Sequence, residues 1–378
     1  MASYLPPTMR AVVQTGPGQA TIESVPLPKV EHGSALVKLD VTLIHSNATN
    51  IFNATHDIYR LPYPIIPGSL GIGRIAALGP DATTLKEGQL VMVSGLIRAR
   101  DDPAVSVITG VMSGQTPASQ HLYRALSRSG FLAEYVPTPL ESVFRLDEAR
   151  LFGSPEAGGL GYSPGELVAL GADAIVYAAM RGIALEPGER VIVTPATGHY
   201  SSAAVKVAAA LGLRVVAASR GAAGLAQLKE TYPDSVETVQ LTGDVEVDGA
   251  ALGAFGPVDA VVDVSPPAAT GATNFAAALS VLRNGGRVTL VGGRGDRTLP
   301  ISYAKVVMNS LTIKGSYMYL REDVEGVIRL AEAGLLKLGK KAGQVVHGAY
   351  SLDEYRTAID KAAENPGPAA LFYIKHSQ

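Results

Sequence analysis

The sequence contains no cysteine and no tryptophan. Without cysteine there are no disulfides, no thiolate nucleophile and no zinc site that uses a cysteine ligand. Charge is sparse: 17% of residues are Asp, Glu, Lys or Arg, the net charge is −2, and there is no long basic run. Neither nucleic acid nor an anionic membrane surface is therefore expected as a partner. No apolar stretch reaches bilayer-spanning length, and Met1 to Arg10 lacks the apolar core of a secretion signal. The expectation is a soluble, cytoplasmic protein. The seven histidines include no H-x-x-x-H pair, so no helical metal site is expected. What is plentiful is apolar: 47% of 378 residues, enough for the cores of two domains.

The chain is organised around Val191 to Arg220. Val191 to Val193 is a short β-branched run, the pattern of a strand buried on both faces. Pro195-Ala196-Thr197-Gly198 reads as a turn. Ser201 to Leu211 has helical spacing and is stopped by Gly212, and Val215-Val216 opens a second strand. This is a βαβ unit of the dinucleotide-binding type. A helix N-terminus offers unpaired N–H groups and partial positive charge to a pyrophosphate. The three fingerprint glycine positions read Ala196, Gly198 and Ser201, so one glycine survives and the strand–turn–helix context carries the reading. The second strand ends in Ser219-Arg220, about twenty residues beyond the turn, with no acid nearby. A guanidinium pairs with a 2′-phosphate and a hydroxyl can donate to it, so the expected cofactor is NADPH. The alternative is that Arg220 is a solvated surface arginine.

Before this unit, short strands dominate. Met9 to Glu23 turns at Gly16-Pro17-Gly18, Ala35 to Leu43 alternates with period two, and Gly68 to Gly79 has the glycine punctuation of a β-hairpin. Gly88 to Ser94 and Gly130 to Pro137 read as strands, and Arg98 to Ser129 as a long irregular segment. The expectation for this part is an antiparallel, partly barrel-like domain. Ser163 to Arg181 reads as a helix. After the organising unit come strands at Val258 to Val264, Arg287 to Val291 and Leu311 to Tyr317. Helices are expected at Asn274 to Leu282, stopped by Asn284-Gly285-Gly286, and at Asp323 to Ala333.

These motifs carry a resemblance. MRAVV at Met9, PGSLGIGRIAALGPD, LKEGQLV, the A-T-G-x-Y turn, NGGRVTLVGG and KGSYMYLREDVEGVIRLAEAGLLKLG run along nearly the whole chain. Together they resemble the medium-chain dehydrogenase/reductase superfamily, in its zinc-independent, quinone-oxidoreductase-like, fungal-type branch. The resemblance implies an α/β fold: a GroES-like, partly barrel β domain plus a Rossmann domain with a doubly wound parallel sheet. The boundaries it implies are 1–160 for the first part of the catalytic domain, 161–325 for the NADPH-binding domain and 326–378 for the return.

Zinc-dependent relatives carry Cys and His-Thr where this chain has His45, Ser46 and Asn47, and G-H-E where it has Gly68-Ser69-Leu70. A third cysteine ligand falls near Gly171, with Asp173 close by, and the four-cysteine lobe would lie near Arg98 to Gly114. Catalytic zinc needs three protein ligands and an open position, so no metal is expected. Another group must then polarise a carbonyl or supply a proton. The resemblance points to His45 and Asn47, then to Tyr59 and Tyr63. His45, Tyr59 and Tyr63 each have a packing role as the alternative, and water is an alternative proton source. For the cofactor it implies Ala196, Thr197, Gly198, His199 and Tyr200 at the pyrophosphate turn, and Ser219 and Arg220 at the 2′ end. Ser265 would approach the ribose, and Gly292, Gly293, Tyr317 and Met318 the nicotinamide. His199 either donates to the phosphates or points to solvent.

The implied activity is NADPH-dependent, zinc-free hydride transfer to a largely apolar enone, quinone or ketone. The alternatives are a zinc-free secondary alcohol dehydrogenase or carbonyl reductase, or a member that binds NADPH without net redox turnover. The loops His45 to Tyr63 and Arg98 to Ser129 are expected to wall a cleft for the substrate. A homodimer is expected through the apolar edge at Leu311 to Tyr317.

Overall fold

A computed structural model describes residues 5–126, 128–293, 295, 298–299, 301–365, 367 and 370–376. The chain divides into two units: Met1–Val168 with Val346–Pro366 and Ala370–Gln378, and Ala169–Val345 with Gly367–Ala369.

The first unit opens with β1 (Thr8–Gly16) and β2 (Gln19–Pro26), an antiparallel pair turning at Gly18, which takes a positive φ. β3 (Ser34–Ile44) is the longest strand and is largely buried. After α1 (Ala48–Phe52) comes β4 (Leu70–Leu78), antiparallel to β3 with Thr42 opposite Gly71. The expected hairpin at Gly68 to Gly79 is instead this one strand. Its glycines mark close backbone approach rather than a turn. A Cβ on Gly73 would stand 2.2 Å from the Lys38 carbonyl oxygen, and one on Gly71 2.7 Å from Leu39. β5 (Leu90–Ser94) pairs with β4, and β6 (Leu96–Arg98) with β7 (Ser106–Ile108).

The segment expected to be irregular contains β7 and a helix, α2 (Pro117–Leu126). Thr116 and Ser119 start that helix by exchanging hydrogen bonds: each hydroxyl accepts from the other's backbone N–H, at 3.1 and 3.0 Å. Tyr123 anchors it, fully buried against Leu61, Ile65, Ile97 and Val107. β8 (Tyr135–Pro139) pairs with β3, and β9 (Val143–Arg145) with β5. The expected strand at Gly130 to Pro137 therefore lies further along. α3 (Glu148–Phe152) follows, capped by Asp147.

Pro164–Ala169, a 3-10 turn where the first unit ends, leads into α4 (Leu170–Gly182) of the second, so the expected helix starts later. β10 (Arg190–Thr194), α5 (His199–Ala210) and β11 (Arg214–Ser219) form the organising βαβ unit. α6 (Ala222–Thr231), β12 (Val236–Gln240), α7 (Val245–Gly253), β13 (Val258–Asp263), α8 (Asn274–Ser280) and β14 (Leu282–Leu290) follow, then α9 (Tyr303–Met308) and β15 (Thr312–Gly315). The six strands are parallel in the order β12-β11-β10-β13-β14-β15. In sequence rank that is 3-2-1-4-5-6, the doubly wound Rossmann order, whose direction reverses between β10 and β13. Its core is aliphatic, with Ile192, Val216, Val261, Phe275 and Val288 packed together. Asn284-Gly285-Gly286 does not precede β14 but lies inside it, where the pairing slips from Val258–Leu282 to Ala260–Arg287. The glycines serve a bulge.

α10 (Arg321–Glu332) belongs to the second unit, so the return begins near residue 346 rather than 326. The cause is packing on α4. Arg181 Nε donates to Asp323 at 2.6 Å, and Gly326 faces Tyr177 so closely that a Cβ would lie 2.7 Å from its ring. β16 (Val345–Tyr350), α11 (Tyr355–Glu364) and β17 (Ala370–Lys375) complete the chain. β17 pairs with β3, Phe372 opposite Ile44, giving the first unit a sheet of order β16-β17-β3-β4-β5-β9, with β8 also on β3.

Candidate functional site

Polar groups gather at the end of β3. The β3–β4 register places His45, one residue past β3, beside the segment entering β4. His45 Nε2 and Ser69 Oγ are 3.0 Å apart. Burial lowers the His45 imidazole to about 4, so the ring is neutral near pH 7. A neutral imidazole is a poor proton donor in the imidazolium sense but can donate a hydrogen bond to developing negative charge.

Beyond His45 a directed chain of hydrogen bonds runs through one loop. Thr55 donates to Asn50 Oδ1 at 3.2 Å, Asn50 Nδ2 to Asn47 Oδ1 at 2.6 Å, and Asn47 Nδ2 to the Tyr59 hydroxyl at 2.8 Å. The Tyr59 oxygen thus accepts, and its own proton is the one the chain can hand on. Asn47 acts through Tyr59 in this arrangement. Tyr63 lies apart from the chain: its ring packs against the Leu61–Tyr123 cluster, and its buried hydroxyl has no partner among the described residues. Burial raises the Tyr63 phenol, which makes it a weaker acid. The sequence reading missed Ser69 and Asn50. Ser69 is the second residue of Gly68-Ser69-Leu70, where zinc-dependent relatives carry G-H-E.

In the second unit, the turn after β10 carries Ala196, buried and donating its backbone N–H to Ala218 at 2.9 Å. Gly198 precedes α5 and donates to Ser201 Oγ at 3.0 Å. Thr197 and Ser219 hydroxyls meet at 2.7 Å, bringing the turn and the end of β11 together. Arg220 follows with its side chain exposed and without a carboxylate partner among the described residues. His199 and Tyr200 pack edge to face, ring centroids 5.1 Å apart.

Ser265 is fully buried, and its hydroxyl accepts from Asn274 Nδ2, which also donates to Thr194 Oγ1, both at 3.2 Å. Its side chain braces the ends of β10 and β13 instead of facing outward. Gly292 is needed next to it: a Cβ there would stand 2.1 Å from the Ser265 carbonyl oxygen. Gly293 and Tyr317 are exposed, and Met318 has φ 57°. Asp173 is fully buried in the same unit, its Oδ2 2.8 Å from Lys206 Nζ on α5.

Residues 31–148 match the family described as an alcohol dehydrogenase GroES-like domain, and residues 201–333 the family described as zinc-binding dehydrogenase. An alcohol dehydrogenase of Rhizobium meliloti (strain 1021) is 29% identical over 336 residues, 86% of this chain and 88% of its own. An acryloyl-coenzyme A reductase of Sulfurisphaera tokodaii is 24% identical over 363 residues, 93% of this chain and 97% of its own. The crystal structure of a short chain alcohol dehydrogenase (rspB) from E. coli CFT073, complexed with NADH, aligns over 98% of this chain and all of its own. Its TM-score is 0.75 at 15% identity, a likeness of fold. No helix among the described residues is long and apolar enough to cross a membrane.

Proposed function

Starting from its membership of the medium-chain dehydrogenase/reductase superfamily as an oxidoreductase, we propose that this chain is an NADPH-dependent, zinc-free reductase of largely apolar enones, quinones or ketones. Its dehydrogenase relatives imply a nicotinamide cofactor, which supplies the hydride when bound. The residues of the second unit suit such a group. The turn before α5 presents small residues and helix N–H groups, as a pyrophosphate requires. Thr197, Ser219 and Arg220 offer two hydroxyls and a guanidinium with no acid to repel a phosphate.

The donor set does not suit zinc. The chain has no cysteine, His45 Nε2 is occupied by Ser69, and the Asp173 carboxylate is held by Lys206. The observation that carries the reduction reading is the Asn50–Asn47–Tyr59 chain beside His45. Tyr59 supplies a proton or hydrogen bond to the substrate oxygen or enolate, and neutral His45 a second hydrogen bond. The exposed Ile58 and half-buried Ile51 of the same loop favour an apolar substrate body. The acryloyl-coenzyme A reductase relative favours an activated alkene; the alcohol dehydrogenase relatives favour a ketone as the second reading.

The test is NADPH consumption against a panel of enones, quinones and ketones, repeated with NADH and after metal analysis. Turnover with NADPH, little with NADH and substoichiometric zinc are expected. Arg220→Ala should raise the NADPH KM about ten- to a hundredfold and leave that for NADH, since a charge-assisted pair contributes about 1.5–3 kcal/mol. Equal use of both cofactors by the unmodified protein refutes the NADPH assignment, and one zinc per chain refutes the metal-free one.

A further inference from the structure

Ser69 sits on a backbone that has little freedom. Its carbonyl oxygen accepts from Gly95 N at 2.7 Å, and a Cβ on Gly95 would come within 2.9–3.1 Å of the Ser69 oxygen, Cα and Cβ. Just before it, Gly68 has φ +95°. Phe131 N and Leu132 N donate to the Gly68 and Pro67 carbonyls at 3.3 and 2.8 Å. Cβ atoms on Gly110 and Gly130 would strike this same segment at 2.5 and 2.1 Å. Three glycines therefore let neighbouring backbone close on residues 66–69.

The serine side chain is buried, and its hydroxyl meets His45 Nε2 at 3.0 Å. A neutral imidazole carries one proton on either of two nitrogens. A hydroxyl on a clamped backbone restricts the rotation of the ring, and because it can donate or accept it keeps Nε2 paired in either tautomer.

We infer that Ser69 is a positioning residue for the reaction, holding the His45 ring in one orientation through the Oγ–Nε2 contact. The inference rests on His45 acting as a hydrogen-bond donor to the substrate. Ser69 acts through the ring, as an outer residue orients an imidazole ligand or base elsewhere.

The experiment uses the whole protein labelled with 15N-histidine, with ring nitrogen shifts read at neutral pH. The unmodified protein should show one sharp Nε2 signal for His45. Ser69→Ala should shift or broaden that signal and lower kcat roughly tenfold, the effect of one hydrogen bond, with the NADPH KM unchanged. Ser69→Thr, which restores the hydroxyl, should recover the Nε2 signal and most of kcat. A Ser69→Ala protein that keeps both the Nε2 signal and kcat overturns the inference. His45→Ala separates the two levels. If it keeps full kcat, His45 is not a donor and the underlying reading fails. If it loses kcat while Ser69→Ala does not, only the role of Ser69 fails.

Discussion

His376 should make this protein sensitive to mild acid. It follows β17, is 3% exposed, and its Nε2 lies 2.9 Å from Thr42 Oγ1. The Thr42 hydroxyl donates its one proton to the Phe131 carbonyl at 2.6 Å. Its oxygen must then accept, so Nε2 carries the hydrogen and Nδ1 is a buried lone pair without a partner among the described residues. Burial lowers the imidazole from 6.5 to about 4. The folded pKa lies below the unfolded one, so the unfolded chain binds the extra proton between these values. Stability is full above about pH 6.5 and falls as pH drops toward 4. At 1.36 kcal/mol per unit the loss is roughly 3 kcal/mol at pH 4, a large share of a typical 5–15 kcal/mol. Urea unfolding at pH 7.5, 6 and 5 measures it, using the unmodified protein and His376→Gln, which keeps a donor but does not titrate. Comparing the two cancels other groups, including the Asp173 carboxyl, which burial raises to about 6 and which acts in the opposite sense. Equal pH slopes in the two proteins would refute the reasoning.

Three further outcomes are expected. Lys206→Met should cost about 3–5 kcal/mol, because it strands a fully buried Asp173 carboxylate, and adding Asp173→Ala should recover much of that; unfolding in urea decides, and a single variant as stable as the double contradicts it. Tyr59→Phe should lower kcat about a hundredfold with little change in cofactor KM, since the chain from Asn50 ends on that hydroxyl; unchanged steady-state rates would remove Tyr59 from catalysis. The protein should be a homodimer, because β15 ends its sheet and α9 beside it in sequence leaves Tyr303 85% and Met308 77% exposed; a monomer mass by light scattering would end that claim.

Where the sequence was legible, short-range physics decided the structure. Val191 to Arg220 shows its strand, turn and helix because β-branched runs, a helical apolar period and Gly212 act within a few residues of each other. Glycine was misread where its reason is remote. Gly71 and Gly73 punctuate a strand because Leu39 and Lys38 press on them from β3, and Gly285-Gly286 sits in a bulge set by pairing with β13. α2 lies inside a long segment read as irregular, although Leu122, Tyr123 and Leu126 share one face of its ten residues.

The candidate site divides along the same line, and the division bears on which residues deserve mutation first. The Asn47–Tyr59 bond spans 12 residues of one loop and the Asn47–Asn50 bond three, so those partners were within reach of a local reading. His45–Ser69 and Thr197–Ser219 span 24 and 22 residues and exist only because β3 pairs with β4 and β10 with β11. A serine at position 69 has no chemistry of its own in the sequence. It gains one when the register brings it to an imidazole that burial keeps neutral. Tyr63 is the converse case. Its phenol looked like a donor by composition, yet folding gives it to Leu61, Ile65 and Tyr123, and burial raises its pKa. Tyr63→Phe should therefore leave kcat intact where Tyr59→Phe lowers it, and steady-state rates of the two variants on one substrate test that contrast. A loss of kcat in Tyr63→Phe equal to that in Tyr59→Phe would mean that the directed hydrogen-bond chain is not what selects the donor.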